Sequence, residues 1–153
     1  MVYFKDLFTN QIFMTASISW LLAQALKTMI HLILSKEFNP ERLVGDGGMP
    51  SSHSATVSAL ATAVAIECGF GSVEFAIAAM FAIVVMHDAM GVRRETGIQA
   101  KLLNDIIRIF EDMGREEISV HDKVKEFVGH TPLQVIMGSL LGIACSLISY
   151  LAF

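Results

Sequence analysis

Charge is scarce in this chain. Asp, Glu, Lys and Arg make up 17% of its 153 residues, against about 25% in an ordinary soluble domain. The net charge of −4 is mild, and no basic tract interleaved with aromatics is present, so nucleic acid is not an expected partner. Cysteine is nearly absent as well. Cys68 and Cys145 stand far apart, in or beside apolar runs and without a CxxC or Cys/His cluster, which excludes a disulfide framework and a zinc site and leaves both as reduced packing residues. Nine methionines read as adaptable packing rather than a thioether metal site. There is no proline-rich linker, low-complexity tract or internal repeat, so residues 1–153 are expected to form a single domain. A cleaved leader is not expected either. The apolar run from Leu7 to Leu34 is too long for one and carries Asn10, Gln11, Gln24, Lys27 and His31, so it reads as a retained first span.

What the chain has in quantity is hydrophobic residues, 54% of the total, and its mean hydropathy is +0.57. Lipid is the solvent this composition suits. Four stretches approach the roughly 20 residues that a bilayer-crossing helix needs: Phe8–Leu34, His53–Glu67, Ser72–Val92 and Thr131–Phe153. The second is alanine-rich and weakly hydrophobic, so it depends on packing against its neighbours, and a partly re-entrant path is open to it. The fourth carries no charge, and its Gly138 and Gly142 form a GxxxG surface that serves either packing within the chain or a homodimer. Between the third and fourth, Ile98, Leu102, Ile106, Ile109, Phe110 and Met113 share one helical face while Lys101, Asp105, Arg108 and Asp112 take the other. That is an amphipathic helix suited to the membrane surface. A short helix capped by Ser119 and carrying Val120, Val124, Phe127 and Val128 is expected to follow, ended by Gly129. The fold class is therefore all-α: an integral membrane bundle of about four transmembrane helices plus an amphipathic interfacial helix, multi-pass in the cell membrane.

Basic residues set the orientation. Lys36 and Arg42 lie in the first connection, and Arg93, Arg94, Lys101, Arg108, Arg115, Lys123 and Lys125 in the third, against Lys5 alone on the other face. The positive-inside rule puts both connections in the cytoplasm and both termini outside. In such a bundle the end of span one, the start of span two, the end of span three and the start of span four share one face. The unusual polar residues gather there: Lys27 and His31; Gly47 to Ser54; His87, Asp88, Arg93 and Arg94; and His130. Ionisable groups at membrane depth are costly unless paired or functional.

The segment GGMPSSHS has two glycines for close backbone approach, Pro50 to fix the start of a helix, and Ser51 or Ser52 to cap it. Several N–H groups then converge at the positive end of a helix dipole, which is an anion site. His53 in the first turn is placed to give a proton to a leaving oxygen. A well-capped membrane helix with an interfacial histidine accounts for the same segment. His87 and Asp88 are adjacent and so point about 100° apart on a helix; one faces the site and the other a neighbour. His31 suits the pocket or the interface, and His121 a solvated loop.

Three ordered motifs, GGMPSSHSA, DAMGVRR followed by GIQAKLLN, and GHTPLQVIMGSLLG, resemble the divergent PAP2 family, relatives of the PAP2 lipid phosphatases and vanadium-dependent haloperoxidases. Pro50, Ser51 and His53 match the P-S-G-H motif with Ser52 in the glycine place, His130 matches the third-motif histidine, and Lys27 is the candidate for the first-motif lysine. The resemblance implies that His130 attacks phosphorus to form a phosphohistidine while His53 protonates the departing alkoxide. Lys27 and Arg93 or Arg94, or both, would neutralise the phosphoryl oxygens, and no metal or other cofactor is required. Two positions depart from the pattern. Lys123 and Val124 stand where Ser-Arg is usual, and Gln134 stands where an aspartate is. Gln134 can orient His130 but cannot stabilise an imidazolium as a carboxylate does; losing that charge in an analogous relay costs about 10⁴ in rate. Asp88, with Asp46 second, is the carboxylate expected to serve instead.

The expected activity is metal-independent hydrolysis of a lipid phosphate at the cytoplasmic face. Phosphatidate, phosphatidylglycerol phosphate and prenyl phosphates all fit. A non-catalytic protein that binds lipid headgroups or organises a partner is the alternative, and a small transporter or channel subunit is a third.

Overall fold

A computed structural model describes residues 2–36, 48–113, 124 and 129–152. They form six helices: α1 Val2–Thr9, α2 Gln11–Ser35, α3 Ser52–Cys68, α4 Val73–Met90, α5 Val92–Asp112 and α6 Pro132–Ala152. The protein is an all-helical membrane bundle. Three helical stretches are long and apolar enough to cross a bilayer: α2, the run of α4 into α5, and α6. The fourth expected span, α3, has 17 residues, about 26 Å against a hydrocarbon thickness of about 30 Å. It is enclosed by α2, α4 and α6. That enclosure is why an alanine-rich segment with little lipid affinity of its own holds its place.

The interior is built from small residues and the exterior from large apolar ones. Ala23, Ala55, Ala59 and Ala63 are fully buried, whereas Leu21, Ile33, Ile77, Phe81, Val84 and Ile148 are each more than half exposed. This inversion of a soluble core is what lipid permits, because close backbone packing rather than expulsion of apolar surface from water joins the helices. The tightest joint is α3 on α6. A Cβ added to Gly138 would lie 2.3 Å from the Ser51 carbonyl oxygen, and one added to Gly142 would lie 2.2 Å from that of Ala55. One turn on, Ser146 Oγ donates to the Ala59 carbonyl at 2.8 Å. The GxxxG surface is thus filled by α3 of the same chain. α2 joins through Ser19 Oγ, which donates to the Ala55 carbonyl at 3.2 Å, and through Thr15 and Ser149, whose hydroxyls lie 3.0 Å apart.

Two boundaries differ from the sequence expectation. The first span is split, because Asn10 takes an extended conformation and its side chain accepts from Phe13 N–H, capping α2; Phe8 and Thr9 therefore belong to the short α1. α4 runs into the amphipathic α5 across Gly91, with Gly91 N–H donating to His87 and Glu95 N–H to Gly91. The expected short helix after Ser119 lies outside the described residues apart from Val124, whose backbone exchanges two hydrogen bonds with the Asn104 side chain at 2.9 and 3.1 Å. On α5, Ile98, Leu102 and Ile109 are more than half exposed, as an apolar face turned to a membrane surface requires.

Candidate functional site

The helix ends expected at one face do meet there. Ser51 is the N-cap of α3: its side chain accepts from Ser54 N–H at 3.3 Å and from Ser54 Oγ at 3.0 Å. Its own N–H donates to the Gln134 carbonyl at 3.0 Å, which ties the start of α3 to the first turn of α6. Pro50, Ser51 and Ser52 are all buried. His53 follows in the first turn of α3, half-buried.

Thr131 and Gln134 form a reciprocal capping box at the start of α6. The Gln134 side-chain oxygen accepts from Thr131 N–H at 3.0 Å, while Gln134 N–H reaches Thr131 Oγ1 at 3.4 Å. Pro132 occupies the first helical position, where a missing N–H costs nothing. The box fixes the Gln134 amide with its oxygen toward the backbone donor, and the same oxygen lies 3.3 Å from His130 Nδ1. An amide oxygen only accepts, so in the neutral imidazole this contact puts the proton on Nδ1 and leaves the lone pair on Nε2. His130 is 2% exposed, and its N–H donates to the Ala89 carbonyl at 2.9 Å, pinning it to the end of α4. Gly129 is what allows this approach. Its φ is +91°, and a Cβ there would lie 2.3 Å from Arg94 N. The outcome is that the His53 and His130 rings stand edge to face with centroids 5.8 Å apart.

Lys27 enters from α2 at 2% exposure. Its stem passes over Gly48, where φ is +89° and an added Cβ would come within 3.0 Å of Lys27 Cδ. A lysine so deeply enclosed in a membrane bundle is a costly feature of the kind that marks functional sites. Arg93 and Asp88 pair across the α4–α5 junction, Nε to Oδ2 at 2.8 Å, both side chains about two-fifths exposed. The Asp88 carboxylate is thus paired with the Arg93 guanidinium, not with an imidazole as the sequence suggests. The Arg94 and His87 side chains are exposed and His31 is half-buried. Asp46 and His121 lie outside the described residues. Among the described residues, no three of His, Cys, Asp and Glu could hold a metal ion.

Two features escaped sequence reasoning. The T-P-L-Q segment makes Gln134 a helix cap as well as a partner of His130. Gln24 carries no motif signal, yet it is 7% exposed on α2.

The sequence matches the divergent PAP2 family over residues 8–145. It is 38% identical over 151 residues to an uncharacterized membrane protein, YuiD, of Bacillus subtilis (strain 168), covering 94% of this chain and 96% of that one. No solved structure matches.

Proposed function

Since the chain belongs to the divergent PAP2 family, we propose that it is a membrane-embedded, metal-independent phosphatase of lipid phosphates, working at the cytoplasmic face of the cell membrane. The observation that carries this reading is the edge-to-face pair of His53 and His130, with ring centroids 5.8 Å apart. His130 Nε2 attacks phosphorus as the bond to the lipid oxygen breaks, and His53 gives its proton to the departing alkoxide. Water then attacks the phosphohistidine, His53 takes the proton back, and phosphate leaves. Lys27, the start of α3 around Pro50, Ser51 and Ser52, and Arg93 with Arg94 cradle the phosphoryl oxygens, the guanidinium binding two at once. Asp88 acts through Arg93. A lipid is favoured over a soluble ester because the site lies where helix ends meet the headgroup layer.

A second reading is a headgroup-binding protein without turnover. It is favoured by the neutral Gln134, whose oxygen also serves the capping box, because the phosphohistidine step lacks a carboxylate behind the nucleophile. Phosphate release from a panel of lipid phosphates in EDTA separates the two. The phosphatase reading expects turnover that is lost in His130→Ala and His53→Ala; equal lipid binding without turnover in any of the three proteins selects the second reading.

A further inference from the structure

Gln24 is an anomaly in the bundle. It is 7% exposed, and its side-chain oxygen is buried with no hydrogen-bond partner among the described residues. A polar atom shut away in a membrane domain without a partner is strongly disfavoured, and such groups are retained where something else supplies the missing bond. The helix geometry says where that partner must stand. On α2, Thr15 meets Ser149 of α6, and at about 100° per residue Gln24 lies on the opposite flank, about 60° from Lys27. Among the described residues no contact joins α2 to α4, so this flank lies along the side of α3 away from α6. Along the axis Gln24 lies about 4.5 Å deeper in the membrane than Lys27.

We infer that Gln24 is a specificity residue whose buried oxygen accepts a hydrogen bond from a hydroxyl or N–H of the lipid close to the phosphate and on its membrane side. The inference rests on the phosphatase reading for the position of the phosphate at Lys27, His53 and His130. It narrows the substrate class to phosphate esters carrying such a donor, a polyol or amide lipid phosphate, and disfavours prenyl and plain alkyl phosphates. The physical basis is an asymmetry. A site built to bond a hydroxyl rejects the analogue lacking it, because the protein atom is then left buried and unpaired.

A matched pair of substrates tests this: a 1-acyl-glycerol 3-phosphate and the corresponding 1-acyl-propanediol 3-phosphate, which differ only in the C2 hydroxyl. Wild type is expected to prefer the hydroxyl-bearing ester by about 10-fold or more in kcat/KM, and Gln24→Leu and the nearly isosteric Gln24→Met to bring the ratio close to one while still hydrolysing the deoxy ester. A wild-type ratio near one, or a ratio unchanged in both variants, overturns the assignment and leaves the phosphatase reading standing. The same two lipids are also read by thermal stabilisation of the purified protein in detergent. If wild type hydrolyses neither ester, the lipid-phosphate panel decides the phosphatase reading, and this second readout decides Gln24: greater stabilisation by the hydroxyl-bearing lipid, abolished in both variants, supports it, and equal stabilisation by the two lipids refutes it.

Discussion

The Gln134 side-chain oxygen lies 3.3 Å from His130 Nδ1 and 3.0 Å from Thr131 N–H, so one amide starts α6 and sets the proton on the histidine. Helix capping and orientation of the His130 ring are thereby one arrangement. A carboxylate of the same length would keep both bonds and add the charge that an imidazolium needs. Gln134→Glu is therefore expected to raise phosphate release by about 10-fold or more, within the 10⁴ that such a charge is worth elsewhere. Gln134→Leu is expected to lower it by about 10² and to cost about 1 kcal/mol of stability through the lost cap. Steady-state assay and thermal melting check the two effects separately; equal activity in all three proteins would detach Gln134 from catalysis.

Gly138 is the point where α6 touches α3 under the site. With the Ser51 carbonyl oxygen 2.3 Å from the place of a Cβ, Gly138→Val has to push the α3 start away from His130. We expect about 2 kcal/mol or more of lost stability together with loss of phosphate release, measured by melting in detergent and by assay. Gly71, whose added Cβ meets nothing within 4 Å, is the comparison: Gly71→Ala is expected to leave both properties unchanged.

Asp88 and Arg93 are about two-fifths exposed, so their pairing is worth at most about 1 kcal/mol to stability. Its expected effect is on substrate affinity. Asp88→Ala and Arg93→Ala should each raise KM several-fold with kcat within a few-fold of wild type, and the double variant should be no worse than Arg93→Ala alone. A large fall in kcat for Asp88→Ala would instead make Asp88 the carboxylate behind a catalytic histidine.

Cys68 ends α3, 15 residues beyond His53 in sequence, and is exposed; that places it about 22 Å from the site along the helix. With the site in the cytoplasm, a membrane-impermeant maleimide applied to intact cells should label Cys68, and a cysteine introduced by Lys101→Cys on α5 should react only after the membrane is opened. The reverse pattern would put the site outside.

Much of this arrangement was legible in the sequence because lipid imposes strong rules. Long apolar runs marked α4 and α6, the paired glycines marked the α3–α6 joint, and the period of Ile98, Leu102, Ile106 and Ile109 marked α5. What periodicity could not reveal was local chemistry that overrides it. Asn10 caps α2 inside what looked like a continuous apolar run, since hydropathy does not register a side chain that bonds its own backbone. In the site, His53, His130 and Lys27 stood out as ionisable groups at helix ends. Asp88 was harder to place, because two adjacent polar residues on a helix point apart and only the geometry of the α4–α5 junction decides that Asp88 meets Arg93. Gln24 was invisible for a different reason: being neutral, it stands out only once its burial is known.

The central claim is that His130 is the group to which phosphate is transferred. Rapid acid-free quenching of the purified protein with a ³²P-labelled lipid phosphate, followed by denaturation, measures it directly. The expected result is a protein-bound label that survives base and is released by acid, present in wild type and absent in His130→Ala. Label of the same stability remaining in His130→Ala, or turnover persisting in that variant, would contradict it.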